Sequence, residues 1–314
     1  MASLNKTPLF DYHFEVDAKM VPVGSWTMPF QFGDGFKNEY IHASEGACII
    51  DFCCANIYRL TGKNFEKMHA IAPAVQVGEG GFICWQEDGK LVDTPFAIRM
   101  AEEDFLCSFA PSAKVVCSKK FESGELQDLS EVFGSIAIFG TETLEILAEL
   151  KVDIENWQVG TSRKIEIDSV RCIAVRTEIA NGEFPCVMLF FDREKSDDVW
   201  IALFNTPGVW ATGVGAWNLC RLQDVLPPYN TLNCALPLLL GRWNGRKIPQ
   251  PGETVVWSAE NAEQQAQVIY SSQVPHAADG FLLFSGKFAE ISVLKCPANT
   301  DESGVVSDFC RLIC

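Results

Sequence analysis

Strand-like and helix-like segments interleave without a regular rhythm over residues 1–232, and this order restricts the chain to few folds. Residues 164–178 alternate apolar and polar positions around a central turn and predict a hairpin, and 184–192 predict a further strand. Apolar residues at helical spacing predict helices over 61–71 and 140–150. Because there is no strict βαβ rhythm, the pattern favours an α+β fold over a doubly wound parallel sheet.

The ends of several elements can also be predicted. Residues 80–118 carry alternating β-branched and aromatic side chains and predict three strands, the last of them over 113–119. Thr141 stands where the cap of the second predicted helix is expected. A helix over 215–226 is ended by Pro227-Pro228, because proline lacks the N–H that a continuing helix needs.

After residue 233 the pattern changes to short strands separated by turn residues. We therefore predict two parts, an α+β region over 1–232 that contains two subdomains and a small β-rich domain over 233–314. The strands predicted in the second part are 252–260, 266–273, 280–286 and 288–296.

The charge balance argues against two classes of partner. Of the 314 residues 48% are hydrophobic, which is enough for a large core, and the formal net charge is −16. The acidic residues are scattered, so we expect no generic affinity for nucleic-acid phosphates or anionic membranes. No apolar run reaches the about 18 residues that a membrane-spanning helix needs.

The cysteines and histidines of the chain indicate its cellular compartment and whether it binds a metal ion. The chain has 13 cysteines, an odd number, and most of them lie inside apolar runs, where cysteine is a small apolar filler. No C-x-x-C spacing and no signal-peptide pattern is present, so we expect free thiols and a reducing, cytoplasmic location. Four histidines do not pair at ligand spacing, and no metal site is expected.

Asp93 stands out in the stretch DGKLVDTPF (88–96). The loop charges belong at Glu87 and Asp88, whereas Asp93 precedes Pro95 by two residues, at the start of the next apolar segment. Taken alone, these residues favour a turn, in which the carboxylate accepts bonds from nearby backbone N–H groups, over a chemical role.

Six segments, in order along the chain, resemble the glycine cleavage T-protein family, the folate-dependent aminomethyltransferases. TPLFDYH (7–13) resembles the family's T-P-L-Y-D-x-H, and DGKLVDTPF resembles its G-G-I-x-D-D-x-x-V. The other matching segments are KMVPVGSWTMPFQF (19–32), EYIHASEGACIIDFCC (39–54), FGTETLEIL (139–147) and VGAWNLCRLQDVLPPY (214–229). The resemblance implies a three-lobed α+β fold with a central cavity and a shortened β-rich C-terminal domain.

The resemblance also gives Asp93 an expected role. Asp93 aligns with the family Asp that contacts folate near its reactive nitrogens, while the first Asp of that pair is Val92 here. The D-x-P form is similar to that of folate-dependent demethylases of the superfamily, such as dimethylsulfoniopropionate demethylase. A carboxylate beside a pterin would accept bonds from ring N–H groups and favour positive charge on the attacking amine. Asp93 is therefore the expected catalytic and folate-binding residue.

One departure from the family pattern concerns its pterin-binding Glu. The R-T-G-Y-T-G-E segment of the family appears here as RTEIANGEFP (176–185). Glu183 takes the place of that Glu if one residue is inserted, and Glu178 is the alternative. A hairpin turn at Asn181-Gly182 flanked by a solvated Glu remains open as the structural interpretation.

Other departures affect the expected cofactor-binding residues. Trp217 stands where the family has an Arg that contacts the folate tail, which weakens recognition of negative charge there. Arg221 keeps a second family Arg and serves either as a folate contact or in a structural salt bridge. Trp26 and Tyr229 are further candidates for lining the cavity, with packing in the core as the alternative. Trp243 is open to the same two interpretations.

The resemblance implies a one-carbon transferase with tetrahydrofolate as co-substrate and a small molecule as donor. Methyl transfer is preferred over aminomethyl transfer, because the Asp93 loop has the demethylase form and the Tyr-Thr-Gly-Glu motif is missing. A folate- or small-molecule-binding protein without turnover is one alternative. An enzyme that reuses the cavity without folate, with Trp217 marking a more apolar pocket, is the other. The identity of the donor and the oligomeric state stay open.

Overall fold

The computed structural model describes residues 3–224 and 226–232, and after residue 233 it describes the backbone pairing of strands within 234–311. The helices in the described part are α1 (Phe10–Glu15), α2 (Phe36–Glu45), α3 (Gly62–Ile71), α4 (Lys114–Lys120), α5 (Thr143–Glu149), α6 (Ser196–Phe204) and α7 (Val214–Gln223).

The strands up to residue 128 are β1 (Asn5–Lys6), β2 (Lys19–Val23), β3 (Trp26–Gln31), β4 (Ala47–Asp51), β5 (Asn56–Thr61), β6 (Gly80–Phe82), β7 (Trp85–Glu87), β8 (Lys90–Asp93), β9 (Phe96–Ala101), β10 (Asp104–Phe109) and β11 (Leu126–Asp128). The later strands are β12 (Phe133–Phe139), β13 (Ser162–Ile167), β14 (Val170–Ile179), β15 (Phe184–Asp192), β16 (Val209–Ala211), β17 (Cys234–Ala235), β18 (Leu238–Asn244), β19 (Thr254–Ala259), β20 (Ala262–Gln273), β21 (Gly280–Ser285) and β22 (Val305–Arg311).

A six-stranded sheet in the order β13-β14-β15-β12-β4-β16 forms the centre of the described region. It is antiparallel except for β16, which runs parallel to β4. All five residues of β4 are buried. Because successive side chains of a strand point to opposite faces, Cys48 and Ile50 enter one core while Ala47 and Ile49 enter another. The sheet therefore separates two apolar cores.

A five-stranded antiparallel sheet, β11-β5-β10-β9-β6, packs against the first of these cores. Leu106 of β10 joins that core, whereas its neighbours Phe105 and Cys107 join a third core with α3 and α4. The first core is thus enclosed between two sheets, and α7 supplies its third side through Trp217 and Leu219. This sandwich of apolar side chains surrounds the candidate site.

Two smaller three-stranded sheets have the orders β1-β3-β2 and β17-β8-β7, and the second includes β17 from beyond residue 233. The second of them presents the Asp93 loop. β7 and β8 form a hairpin whose turn, Asp88-Gly89, has positive φ at both residues, which glycine adopts without strain. Asp93 ends β8, and Pro95 separates it from β9. The mixed order of helices and largely antiparallel sheets confirms the expected α+β class.

Several element predictions are confirmed by this structure. The hairpin over 164–178 is present, with both turn residues, Asp168 and Ser169, at positive φ. The strand over 184–192 and the helix over 61–71 are present as β15 and α3. The helix predicted to end before Pro227 is α7, which ends at Gln223.

Two predictions are wrong. Residues 113–119 form α4 rather than a strand, following a 3₁₀ turn that starts at Pro111. The β-branched residues there suggested a strand, but Val115 is 62% exposed while Cys117 is buried, so packing and the turn decide the conformation. Thr141 does not cap α5, because its hydroxyl donates to the Ser44 carbonyl and the helix begins two residues later.

The C-terminal strands form a five-stranded sheet in the order β19-β20-β21-β18-β22. Three of the four predicted segments contain strands of this sheet, namely β19, β20 and β21. The segment 288–296 lies outside the described residues. The division of the chain into domains at residue 233 stays a prediction. Among the described helices, none combines the length and the apolar character needed to cross a membrane.

Candidate functional site

A small central cavity of about 20 Å³ lies where the two larger sheets meet α7. About 10–15 Å³ is enough for one water molecule, so the cavity is nearly filled by its own side chains. Its lining combines aromatic rings with a few polar groups. The lining residues are Phe52, Phe82, Thr94, Phe96, Ser108, Ala110, Met188, Trp217, Arg221 and Tyr229.

Asp93 lies directly behind the wall that Thr94 and Ala110 form, and only 4% of it is exposed. Its Oδ1 accepts a bond from the Thr94 N–H at 2.8 Å, and its Oδ2 accepts one from the Ala110 N–H at 3.1 Å. Burial raises the pKa of Asp93 to about 6, although both hydrogen bonds and the nearby Arg221 oppose this effect. The carboxylate therefore titrates close to neutral pH.

Arg221 lies on α7 and is 4% exposed. Its Nε donates to the Pro227 carbonyl at 2.7 Å, and its Nη2 donates to the Thr94 hydroxyl at 2.8 Å. The guanidinium thus joins the segment after α7 to the Asp93 loop.

Trp217 and Tyr229 supply part of the aromatic wall of the cavity. The Trp217 ring is 2% exposed and packs edge-on against Phe52 and Phe139, with centroids 5.1 and 5.4 Å away. Its Nε1 has no hydrogen-bond partner among the described residues. Tyr229 packs on Phe52 at 5.2 Å, and desolvation of its hydroxyl raises its pKa well above the ordinary range. The wall is apolar but contains two N–H or O–H groups.

The structure brings four of the predicted site residues together, namely Asp93, Trp217, Arg221 and Tyr229. Trp26 does not line the cavity, and its ring lies 5.6 Å from the Arg193 guanidinium. The side chain of Trp243 lies outside the described residues. The predicted roles of all these residues in ligand binding stay predictions.

Glu183 also lies outside the cavity wall, at the end of the turn between β14 and β15. Its carboxylate accepts a bond from the Tyr40 hydroxyl at 3.1 Å. The turn itself has Asn181 and Gly182 at positive φ, as the structural interpretation expected. Glu178 is exposed on β14, near Gly182.

The turn between β14 and β15 is attached to the end of α7. Asp224 accepts bonds from the N–H groups of Ala180 and Asn181, at 3.2 and 2.7 Å. The turn is therefore held near the C-terminal end of α7, while Trp217 and Arg221 line the cavity from earlier positions on the same helix.

Several wall residues were not predicted as site residues. Phe52, Phe82 and Met188 come from three separate strands or strand ends, and only the fold brings them together. Cys54, whose sulfur accepts a hydrogen bond from the hydroxyl of the wall residue Tyr229, lies behind this wall. These residues look like ordinary core positions in the sequence, so no local signal distinguishes them.

Cys53 and Cys54 are poor candidates for a nucleophile. Both are buried, and desolvation raises the pKa of each thiol, so the thiolate is disfavoured. The expectation of free thiols is confirmed for eight cysteines of the described region. It is wrong for Cys84, which is disulfide-bonded. The described residues contain no group of three or more His, Cys, Asp or Glu that could hold a metal ion.

Larger clefts exist on the surface. One of about 610 Å³ lies on the sheet formed by β13, β14 and β15, and its polar lining is made of Lys164, Glu166, Arg171 and Asp192. It is open to solvent. A site that needs an enclosed titratable group is therefore better placed at the central cavity.

Comparison with known proteins agrees with this fold. The model of the GCVT N-terminal domain family matches residues 9–231. The chain belongs to the GCVT-domain family. This confirms the resemblance to the glycine cleavage T-protein superfamily.

Curated relatives of this GCVT-domain protein are named aminomethyltransferases. A probable aminomethyltransferase of Natronomonas pharaonis is 24% identical over 240 residues, covering 70% of this chain and 64% of that protein. A mitochondrial aminomethyltransferase of Dictyostelium discoideum is 28% identical over 249 residues, covering 72% of this chain and 62% of its own length. The matched region therefore spans somewhat less than two thirds of these relatives.

A solved structure has the same fold. The glycine cleavage system aminomethyltransferase T from Bartonella henselae superposes with a TM-score of 0.76, covering 97% of this chain and 96% of that one. The two sequences are only 14% identical, so the likeness concerns the fold. It confirms the expected fold class.

Proposed function

We propose that this GCVT-domain protein is a tetrahydrofolate-dependent one-carbon transferase that works at the central cavity. The observation that carries the proposal is the buried Asp93, whose carboxylate titrates near pH 6 beside an aromatic-lined cavity. Structural carboxylates with strong partners usually have lowered pKa values, whereas a raised pKa in an enclosed site is typical of proton chemistry.

The groups around the cavity have the chemistry needed to bind a reduced pterin, but the cavity as it stands is too small to hold one. Asp93 accepts two described hydrogen bonds, and a carboxylate can accept about four, so it retains capacity for ring N–H groups. The rings of Phe52 and Trp217 offer faces or edges for packing, and the buried Trp217 N–H can donate. Ligand pockets usually measure about 300–1,000 Å³, so the side chains that fill the cavity must move when a ligand enters.

Tetrahydrofolate would supply the amine nitrogen that accepts the one-carbon group. The ionised Asp93 would hold the ring by its N–H groups and stabilise positive charge that develops on that amine. Thr94 and Ala110 fix the orientation of the carboxylate through their N–H groups. The aromatic wall excludes water, which strengthens these electrostatic interactions.

Within this class we propose methyl transfer from a small donor rather than aminomethyl transfer. Two features support the choice. The D-x-P form of the Asp93 loop is similar to that of the demethylases, and the Glu183 turn is attached to Tyr40 and Asp224 outside the cavity wall.

We place this reaction in the cytoplasm, as the remaining free thiols suggest.

Titration with tetrahydrofolate, followed by tryptophan fluorescence and calorimetry, tests the proposal. We expect binding by the wild type and a loss of at least about 10-fold in Asp93→Ala, because a hydrogen bond to a charged group contributes about 1.5–3 kcal/mol. Glu102→Ala, which removes an 88% exposed carboxylate, is the matched control and should bind like the wild type. Equal affinity of wild type and Asp93→Ala would contradict the proposal.

The donor is identified by the product. Protein, tetrahydrofolate and a candidate donor such as dimethylsulfoniopropionate or dimethylglycine are incubated together, and the folate is analysed by mass spectrometry. A methyl group on folate supports methyl transfer. With a donor that carries an aminomethyl group in place of the methyl group, a methylene group on folate and released ammonia would support aminomethyl transfer. Folate binding without turnover of any donor would favour the binding-protein alternative.

The second candidate function is an enzyme or binding protein that uses the cavity without folate. The small volume and the apolar Trp217 wall favour it. Small aromatic compounds should then raise the melting temperature when tetrahydrofolate does not.

A further inference from the structure

We infer that Arg221 is a positioning residue that clasps the Asp93 loop and the segment carrying Tyr229 around the central cavity. Its catalytic meaning rests on the proposed function, while the clasp itself follows from the contacts. Arg221 was predicted as a folate contact or a salt-bridge residue, and the structure shows it bonded to two chain segments that are far apart in sequence.

The first arm of the clasp reaches the Asp93 loop. The Arg221 Nη2 donates to the Thr94 hydroxyl at 2.8 Å, and the Thr94 N–H in turn donates to Asp93 at 2.8 Å. Pro95 follows, and its ring restricts the backbone of Thr94 to extended conformations. Arg221 therefore acts on the Asp93 carboxylate through a single intervening residue.

The second arm holds the segment after α7. The Arg221 Nε donates to the Pro227 carbonyl at 2.7 Å, two residues before Tyr229. The Tyr229 N–H donates to the Asn218 side chain at 2.8 Å, which ties the same segment to α7 again. Because Arg221 and Asn218 both lie on a regular helix, the Tyr229 ring is held against the cavity by a rigid element.

The clasp also sets the charge around Asp93. Among the described residues, the titratable groups that interact with Asp93 from the neighbouring elements are Arg221, Tyr229 and Cys117. Burial raises the pKa values of Tyr229 and Cys117, so both are neutral between pH 4 and 8. The Arg221 guanidinium is thus the charged neighbour in this set, and it favours the ionised carboxylate.

Three variants separate the effect of the Arg221 charge from the effect of its hydrogen bonds. Arg221→Gln removes the charge and weakens the clasp, and Arg221→Lys keeps the charge with fewer donors. Thr94→Val removes the hydroxyl alone, at nearly constant shape. Each variant is compared with its Asp93→Asn double mutant, and the difference in free energy of unfolding against pH reports the titration of Asp93. None of these measurements requires folate.

We expect the pH-dependent range to end near 6 for the wild type and for Thr94→Val, and above 6 for Arg221→Gln. The upper end of this range in Arg221→Lys should stay near that of the wild type, and this variant keeps the test open if Arg221→Gln does not fold. An unchanged upper end in Arg221→Gln, or an upper end in Arg221→Lys raised as far as in Arg221→Gln, would overturn the role of the charge.

Amide hydrogen exchange measured by mass spectrometry tests the clasp directly. In Arg221→Gln and Arg221→Lys, peptides covering 90–96 and 226–232 should both exchange faster. In Thr94→Val, only the peptide covering 90–96 should do so. Faster exchange confined to 226–232 in both Arg221 variants would show that Arg221 acts only locally, at the end of α7, and would contradict the inference.

A final experiment uses tetrahydrofolate itself. The lost hydrogen bond of Thr94→Val should lower its affinity about 2- to 12-fold, the range for a net contribution of about 0.5–1.5 kcal/mol. Wild-type affinity in Thr94→Val would count against positioning of Asp93. If the wild type does not bind folate, the proposed function fails, whereas the titration and exchange results still decide the clasp.

Discussion

His13 and Asp51 are joined across 38 residues of chain, with the His13 Nε2 lying 3.2 Å from the Asp51 Oδ2. Both side chains are fully buried. The Thr7 hydroxyl donates to the same oxygen at 2.7 Å, and the Cys53 N–H donates to the other oxygen at 2.8 Å. Asp51 therefore ties the N-terminal segment to the end of β4 in the central sheet.

Replacing Asp51 by Ala should lower the free energy of unfolding by about 3–5 kcal/mol, because it leaves buried polar partners without their acceptor. Urea unfolding followed by fluorescence checks this expectation. Glu103→Ala, which removes an exposed turn carboxylate, is the matched control. A loss below about 1 kcal/mol would mean that the Asp51 contacts contribute little.

The Asp51 contacts should also be lost in acid. Burial by itself would raise the pKa of Asp51, but the hydrogen bonds and electrostatic attraction of its partners, His13 foremost, together outweigh burial and lower that pKa. A lowered folded pKa gives stability that is present above the unfolded value of about 3.9 and disappears as pH falls through the folded value. The wild type should therefore lose more stability than Asp51→Asn below pH 4, as measured by thermal unfolding across pH 2.5–5.

Asp93 should show the opposite pH dependence. Its pKa is about 6 in the folded chain and about 3.9 in the unfolded chain, so the folded state binds the extra proton between these values. The free energy of unfolding should fall as pH rises through this window, by up to about 3 kcal/mol. Asp93→Asn should lose that slope, and identical slopes in urea titrations from pH 4 to 7.5 would refute the expectation.

Removing Trp217 should open the central cavity. Trp217→Ala is expected to cost about 3–5 kcal/mol of stability, because the ring is fully packed against Phe52 and Phe139. Indole should fill the space and raise the melting temperature of this variant but not of the wild type. Phe14→Ala, at a 66% exposed ring, should stay within about 0.5 kcal/mol of the wild type.

Gly140 lies where the chain at the end of α2 approaches the central sheet closely. A Cβ at this position would lie 2.4 Å from the Gly46 carbonyl oxygen, and the φ of +136° disfavours any other residue. Gly140→Ala should destabilise the chain by more than about 3 kcal/mol. At Gly124, by contrast, an added Cβ meets no atom within 4 Å, so Gly124→Ala should be nearly neutral. Chemical unfolding of both variants compares them directly.

Local patterns were sufficient where one physical effect dominates. The hairpin at Asp168-Ser169 follows from turn chemistry between two alternating runs, and α7 ends before Pro227 for lack of a backbone donor. They were insufficient where effects compete. Residues 113–119 have a strand-like composition, yet a preceding Pro111 turn and the burial of Cys117 make them helical.

The candidate site likewise contains features that local sequence patterns predict and features that they do not. Asp93 was identified from its place before Pro95, and both proposed roles of its carboxylate are compatible with the structure, since it binds two backbone N–H groups beside a cavity. The position of Glu183 away from the cavity could not be predicted, because it depends on how Asp224 holds the turn.

The sequence by itself determined the α+β class, many of the elements and the family, because apolar periodicity, turn residues and ordered motifs are local properties of the chain. The tertiary structure decided which side chains meet. Phe52, Phe82, Trp217 and Tyr229 come from four separate segments, and Arg221 contacts Thr94 across 127 residues. Burial in that shared core, which no local pattern encodes, is what moves the pKa of Asp93 toward neutrality.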